Sequence, residues 1–320
     1  MMIYDYIFIG ASLSSLLTAT TIKNKSILII EKDKYIGGAW GVNSNYYKNM
    51  DIVGHLIVPT NNIIGNKILE YFKNIDLELE YIDKKDFLFE TESYRSNNKQ
   101  GTPIIAKNGW TDFYNKIVRY VNKFNNIKII INTEVLKINY KENTVILNCK
   151  NDNYICNKLI IPMYCNINKI YYHNTIIDIP YKSIINKHVL IEVTFNKSLK
   201  ITKNYQAFLD KTPIGIFDRV TVSKIYNNNC ILSCRISKNF KNKKNIEKLF
   251  LPFLKEKKIL NDFCKITKIS YYNYNCSYRN AEKDRNILLN ISKKFKKIYI
   301  LNTIYMGHFL ENLIENKLFF

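Results

Sequence analysis

The chain has 320 residues, 47% of them hydrophobic, with 48 Lys and Arg against 27 Asp and Glu and a formal net charge of +21. That much apolar material excludes global disorder, and at roughly 100–200 residues per domain the length predicts two domains or one large α/β body with an insertion. No apolar run approaches the ~18 residues needed to span a bilayer, so no transmembrane helix is expected.

The start, Met1-Met2-Ile3-Tyr4-Asp5, lacks the pattern of a cleavable signal, so a cytoplasmic protein is expected. Tyr4–Ile9 reads as a first strand. Gly10-Ala11-Ser12-Leu13-Ser14-Ser15 then turns into a helix with Leu13, Leu16, Leu17 and Thr20 on one face. Ser26–Ile30 is a continuous apolar run, as a parallel strand buried on both faces should be, and Glu31 stands at its carboxyl end. These pieces form one βαβ unit.

Gly37-Gly38-Ala39-Trp40-Gly41 and an Asn- and Tyr-rich loop follow, then a short strand or turn at 51–56. Helical spacing predicts helices over Asn62–Phe72 and Trp110–Phe124, the second capped by Thr111 or Asn108. Leu77–Phe89 reads as extended. Ile127–Ile131, Glu134–Tyr140, Thr144–Cys149 and Tyr154–Ile161, with short Asn-rich turns, predict a β-meander. Residues 188–196, 205–209, 219–226 and 230–237 read as further strands. Ile246–Leu254 is helical in pattern, with Pro252 expected to kink or restart it. Lys297–Leu301 reads as a last buried strand and Phe309–Leu318 as a last helix. Parallel α/β signals at both ends, with β-rich material between, predict an α/β fold. A discontinuous Rossmann-like domain would comprise 1–60, 104–165 and 285–320, and a β-rich substrate domain 61–103 and 166–284.

The βαβ unit carries the chemistry. A dinucleotide site needs a glycine for the tight turn, close backbone approach to the pyrophosphate, and a helix start that offers unpaired N–H groups to phosphate. It also needs an acid about 20 residues on to hold a ribose. Here Gly10, Ser12 and Ser15 occupy the three fingerprint positions, and Glu31 holds the position of the acid. Ser12 adds a side chain where phosphate must approach, and Ser15 adds bulk at a helix–strand contact.

The run YDYIFIGASLSSLLTA…SILIIEKDKYIGGAW resembles the N-terminus of FAD-dependent oxidoreductases of the amine oxidase, protoporphyrinogen oxidase and UDP-galactopyranose mutase type. Asp51–His55, Asn108-Gly109-Trp110, Glu134-Val135 and Ile300–Glu315, with Gly307, Glu311 and Ile314 in register, are similar to later segments of that family. The resemblance implies FAD as cofactor. Gly10, Ser12, Leu13, Ser14, Ser15, Glu31, Lys32, Gly37, Gly38, Ala39, Trp40, Val135, Asn302 and Gly307 would line it, with His55 and His308 toward a substrate. It implies hydride transfer from a small-molecule substrate to flavin; a flavin-dependent sugar-nucleotide isomerase and a non-catalytic protein that has lost flavin are the alternatives. Asn302-Thr303 departs from the family's glycine followed by an acid. No other strand–glycine–helix unit occurs, so a separate NAD(P)H domain is not expected.

The seven cysteines include no C-x-x-C pair, which argues against a disulfide framework or a zinc site and for buried free thiols. Only six of the 48 basic residues are Arg, the residue of choice for base and phosphate contacts. The positive charge therefore reads first as a solvated Lys surface from A/T-rich coding, with an anionic lipid or nucleic-acid partner as the rival.

Overall fold

The structure is a computed structural model. It describes residues 2–37, 57–82, 87–89, 101–142, 144–162, 167, 169–179, 182–194, 206–208, 215–226, 229–237, 240, 246–257, 259–260, 262–278, 287, 290–301 and 306–315. In chain order these form β1 (Ile3–Ile9), α1 (Leu13–Thr21), β2 (Ile27–Ile30), α2 (Asn62–Lys73), β3 (Leu79–Tyr81), β4 (Phe87–Phe89), β5 (Ile104–Ala106), α3 (Trp110–Val121) and β6 (Ile127–Ile130). There follow β7 (Val135–Tyr140), β8 (Val145–Cys149), β9 (Asn153–Pro162), β10 (Lys169–Tyr172), β11 (Thr175–Asp178), β12 (Lys182–Thr194), β13 (Gln206–Phe208), β14 (Phe217–Tyr226) and β15 (Asn229–Ile236). The chain closes with α4 (Ile246–Glu256), β16 (Lys265–Tyr278), β17 (Ile298–Leu301) and α5 (Met306–Ile314).

The first sheet is built on parallel strands in the order β6-β2-β1-β9-β17. This is a doubly wound order in which the direction of progression reverses beside β1, and ligands of such sheets bind outside the carboxyl ends of the strands at that point. Apolar runs make the strands. All four residues of β2 are at most 1% exposed, because both faces of the sheet are covered. On one face Phe8, Ile27, Ile29 and Ile160 pack with Leu16 and Leu17 of α1, Ile68 and Phe72 of α2, Phe113 and Ile117 of α3, and Leu310 of α5. On the other, Ile7, Ile9, Leu28 and Ile30 pack with Ile138 of β7, Val145 and Leu147 of β8, and Phe295. β7, β8 and the first half of β9 form an antiparallel meander, which β10 and β11 extend. β9 is shared. Its start pairs with β8 and its end with β17.

A second sheet runs β16-β12-β15-β14-β13-β4. Its core joins Val189, Ile191, Phe217, Val220 and Leu232 to Phe250, Phe253 and Leu254 of α4. β3 and β5 make a small antiparallel pair.

Several expectations need correction. Residues 127–130 do not join the meander; β6 pairs in parallel with β2 at the edge of the first sheet. α3 ends at Val121, three residues before Phe124, and neither Asn108 nor Thr111 caps it. Gly109 is the cap residue, at φ 85° and without a side-chain bond. α4 passes through Pro252 as one helix instead of restarting there. α5 starts at Met306, three residues before Phe309. β16 was not anticipated at all. The five described free cysteines are buried as expected; burial pushes the Cys149 thiol up to about 11 and those of Cys156 and Cys230 to about 12, which keeps them unreactive. Among the described residues, no helix is long and apolar enough to cross a membrane.

Phe8 is fully buried between β1 and the helices, whereas Ile63 is 71% exposed on α2. Phe8→Ala should cost about 3–5 kcal/mol of unfolding free energy, and Ile63→Ala less than about 0.5 kcal/mol. Denaturant unfolding of the two variants checks the assignment of this core.

Candidate functional site

The site lies where β1 and β2 end. Gly10 leaves β1 at φ 83°, a conformation that side chains rarely adopt. Its N–H still bonds Ile30 O at 2.7 Å, so the turn stays tied to β2. The left-handed residue swings the next amide toward β2, where Ala11 N–H donates to Glu31 Oε2 at 2.7 Å. The other oxygen, Oε1, accepts from Asp33 N–H at 3.0 Å. Glu31 is only 6% exposed. Burial pushes its carboxyl above the usual value, and the two N–H donors pull it down without cancelling that effect. Its backbone ties in β6, since Glu31 N bonds Ile130 O and Thr133 N bonds Glu31 O.

Ser12 is the N-cap of α1. Its hydroxyl accepts from Ser15 N–H at 3.2 Å and lies 2.8 Å from Ser14 Oγ and 3.1 Å from Ser15 Oγ. The side chain is thus turned onto its own helix, and Ser15 is fully buried with its hydroxyl partnered. The N–H groups of Leu13 and Ser14, first in α1, have no partner among the described residues, as expected at a helix start. The segment after Glu31 returns to this turn. Gly37 N–H donates to Ala11 O at 2.5 Å and bridges Ser12. Tyr114 of α3 holds that return by donating its hydroxyl to Ile36 O. Burial, with the Glu31 charge nearby, raises the Tyr114 hydroxyl far above its usual range.

A second junction lies at α5. The buried Glu311 accepts Thr60 N–H at 2.7 Å, which anchors the stretch that leads into α2.

The structure therefore gathers Gly10, Ser12, Leu13, Ser14, Ser15, Glu31 and Gly37 around one turn. Lys32 is an exposed residue just beyond it, and Val135 opens β7 two residues after Thr133. Gly307 and His308 fall in the first turn of α5. Gly38, Ala39, Trp40, His55 and Asn302 lie outside the described residues. Tyr114 was missed by sequence reasoning. Among the described residues no cluster of His, Cys, Asp and Glu could hold a metal ion.

No protein-family model matches the sequence, and no curated protein matches it. Solved structures do match in fold. A candidate protoporphyrinogen oxidase from an Exiguobacterium species aligns over 98% of this chain and 96% of its own, with TM-score 0.66 and 8% identity. A p-nitrophenol 4-monooxygenase from Pseudomonas putida aligns over 98% and 79%, with TM-score 0.53 and 11% identity. An L-amino acid deaminase from Proteus vulgaris aligns over 98% and 90%, with TM-score 0.50 and 10% identity. At such identities the likeness establishes architecture. This chain shares the α/β fold of these three proteins, a fold consistent with the parallel βαβ unit read from its sequence.

Two outcomes test the local physics. Ser12→Ala removes the α1 cap and should cost about 1 kcal/mol, with Ser12→Gly costing less, in denaturant unfolding. The raised folded pKa of Glu31 means that the folded chain holds this proton more firmly than the unfolded chain. Its contribution should therefore weaken stability as pH rises from about 4.5 through the folded value, and level off above it. Subtracting the pH profile of Glu31→Gln from that of the wild type should isolate this fall. A flat difference would remove burial as the dominant influence.

Proposed function

We propose that the chain binds FAD in the crevice at the carboxyl ends of β1 and β2 and oxidises a small-molecule substrate. The observation that carries the proposal is the pairing of the left-handed Gly10 turn with the buried Glu31 carboxylate on this fold. Hydride transfer to flavin N5 is the chemistry that bound FAD supplies.

The residues fit such a cofactor. A Cβ built on Gly10 would meet nothing within 4 Å, so space is open at the turn. The Leu13 and Ser14 N–H groups can take a pyrophosphate, helped by the helix dipole. An ionised carboxylate has about four lone-pair sites. Two of those on Glu31 face Ala11 and Asp33, which leaves two for the hydroxyls of a ribose. Ser12 supports the helix start rather than filling the approach, since its hydroxyl bonds Ser14 and Ser15. Tyr114 and Gly37 fix the wall beside the ribose position. The second sheet, with its largely antiparallel strands, supplies surface for a substrate.

Purified protein incubated with FAD should retain the visible flavin absorbance after gel filtration. Glu31→Ala should weaken FAD binding by roughly 10- to 100-fold, the range for a lost charged hydrogen bond. A folded wild-type protein that stays colourless in excess FAD would overturn the proposal and favour a non-catalytic role. Retained flavin together with tight, selective binding of a sugar nucleotide would replace the oxidase reading with an isomerase.

A further inference from the structure

The opposite edge of the same sheet has a different chemistry. Because β6, β2, β1 and β17 are parallel, the segments that feed them meet at one edge. Ile27 N–H bonds Asn126 O at 2.9 Å, Tyr6 N–H bonds Ser26 O at 3.1 Å, and Leu159 N–H bonds Lys297 O at 2.7 Å. Asn126 Nδ2 also donates to Lys25 O at 2.9 Å, which ties two of these segments together. Residues 22–26, 122–126 and 293–297 carry Lys23, Lys25, Lys123, Lys293, Lys294, Lys296 and Lys297, and no acid. Six of these lysines are exposed and Lys297 is half-buried.

The register adds an apolar tip. Tyr6 is level with Ile27, and Ile7 with Leu159, which pairs with Ile298. The first residues of β1 therefore extend about 10 Å past the starts of β2 and β17, at ~3.3 Å per residue, while Ile3 stays paired with Ile155 of β9 on its other side. Met2 and Ile3 stand on that projection, 67% and 52% exposed. The nearest acid, Asp5, is held by Ser26 and Lys25. Glu142 and Asp152, whose charges add to burial in raising the Tyr140 and Tyr154 hydroxyls, lie close by, against seven lysines in the three segments.

We propose that this edge docks the protein on an anionic lipid surface, with the lysines in the headgroup layer and Met2 and Ile3 at the boundary with the acyl chains. Lysines near such a surface contribute additively and need no fixed geometry, which suits a row of compact, flexible charges spread over about 20 Å of strand ends. A projecting apolar pair fits the headgroup boundary and has no use against a nucleic-acid backbone. These three segments hold no Arg, the residue that nucleic-acid recognition favours. The docked chain would hold Gly10 and Glu31 away from the membrane by the length of β1, about 20 Å.

Co-sedimentation of the full chain with vesicles provides the test. Binding is expected to phosphatidylcholine vesicles containing phosphatidylserine, not to phosphatidylcholine alone, and to weaken as salt is raised. Lys293→Glu/Lys294→Glu/Lys296→Glu should weaken that binding by at least about a hundredfold. Met2→Ser/Ile3→Ser should weaken it several-fold at unchanged charge. Lys187→Glu/Lys248→Glu/Lys265→Glu, on β12, α4 and β16, lowers the net charge equally and should change it little. Equal losses from both charge-reversed variants would show that net charge alone drives association, and would overturn the proposal. So would an absence of vesicle binding, or duplex DNA that displaces the vesicles and is lost in the same variants. Unfolding temperatures of all variants separate docking from misfolding, and the result is independent of whether flavin is bound.

Discussion

A carboxylate taken out of water at the end of a strand must find hydrogen-bond donors, and among the described residues Glu31 finds them in backbone. This requirement organises the mouth of the first sheet. Ala11 N–H reaches Glu31 because Gly10 adopts φ 83°, so the glycine and the acid, 21 positions apart, are one device. The backbone of Glu31 fastens β6 and the start of the meander, and the return of the chain at Gly37 is fastened to Ala11. The start of α1 is consequently held against three strand ends at once. That rigidity fixes the Leu13 and Ser14 amides, which have no partner among the described residues.

The serines show how a motif can change its residues and keep its geometry. Glycine at position 12 would leave room for a phosphate but provide no cap. Serine at φ −67°, ψ 160° directs its oxygen back to Ser15 N–H, so the added atoms stabilise the helix start. Ser15 is tolerated at the helix–strand contact because Ser12 partners its hydroxyl. Each serine alone would be harder to accommodate. Read residue by residue the sequence shows two lost glycines, whereas the structure shows a hydrogen-bonded group of three hydroxyls.

Much of the parallel framework was legible in the chain because its signals are local. The run Ile27–Ile30 announces burial on both faces, and the interval between Gly10 and Glu31 fits one crossover. What escaped depends on distant chain. Tyr114 lies beside Phe113 and near Ile117 on α3 and reads as core. Its hydroxyl acquires a task only because Ile36, 78 residues away, passes over it. β6 has the same short apolar pattern as the meander strands, and only its pairing with β2 distinguishes it. β16 was hidden by composition. Its run of Tyr, Asn and Ser from 270 to 278 has little apolar alternation, yet thirteen paired positions along β12 secure it as a strand.

Parallel strands also give a sheet two unlike edges. Here the carboxyl edge presents backbone donors, the buried Glu31 and, just beyond it, the exposed Lys32 and Lys34, while the segments that feed the amino edge carry seven lysines and no acid. The edges are separated by the length of β1, about 20 Å, which exceeds the Debye length of ~8 Å at physiological salt. The lysines at the amino edge therefore cannot contribute appreciably to attraction of a phosphate at Gly10. Attraction of a phosphate at Gly10 falls to groups at the carboxyl edge itself, the local N–H groups and the nearby Lys32 and Lys34. The net charge of +21 is thus informative about function only after the topology has assigned each lysine to an edge.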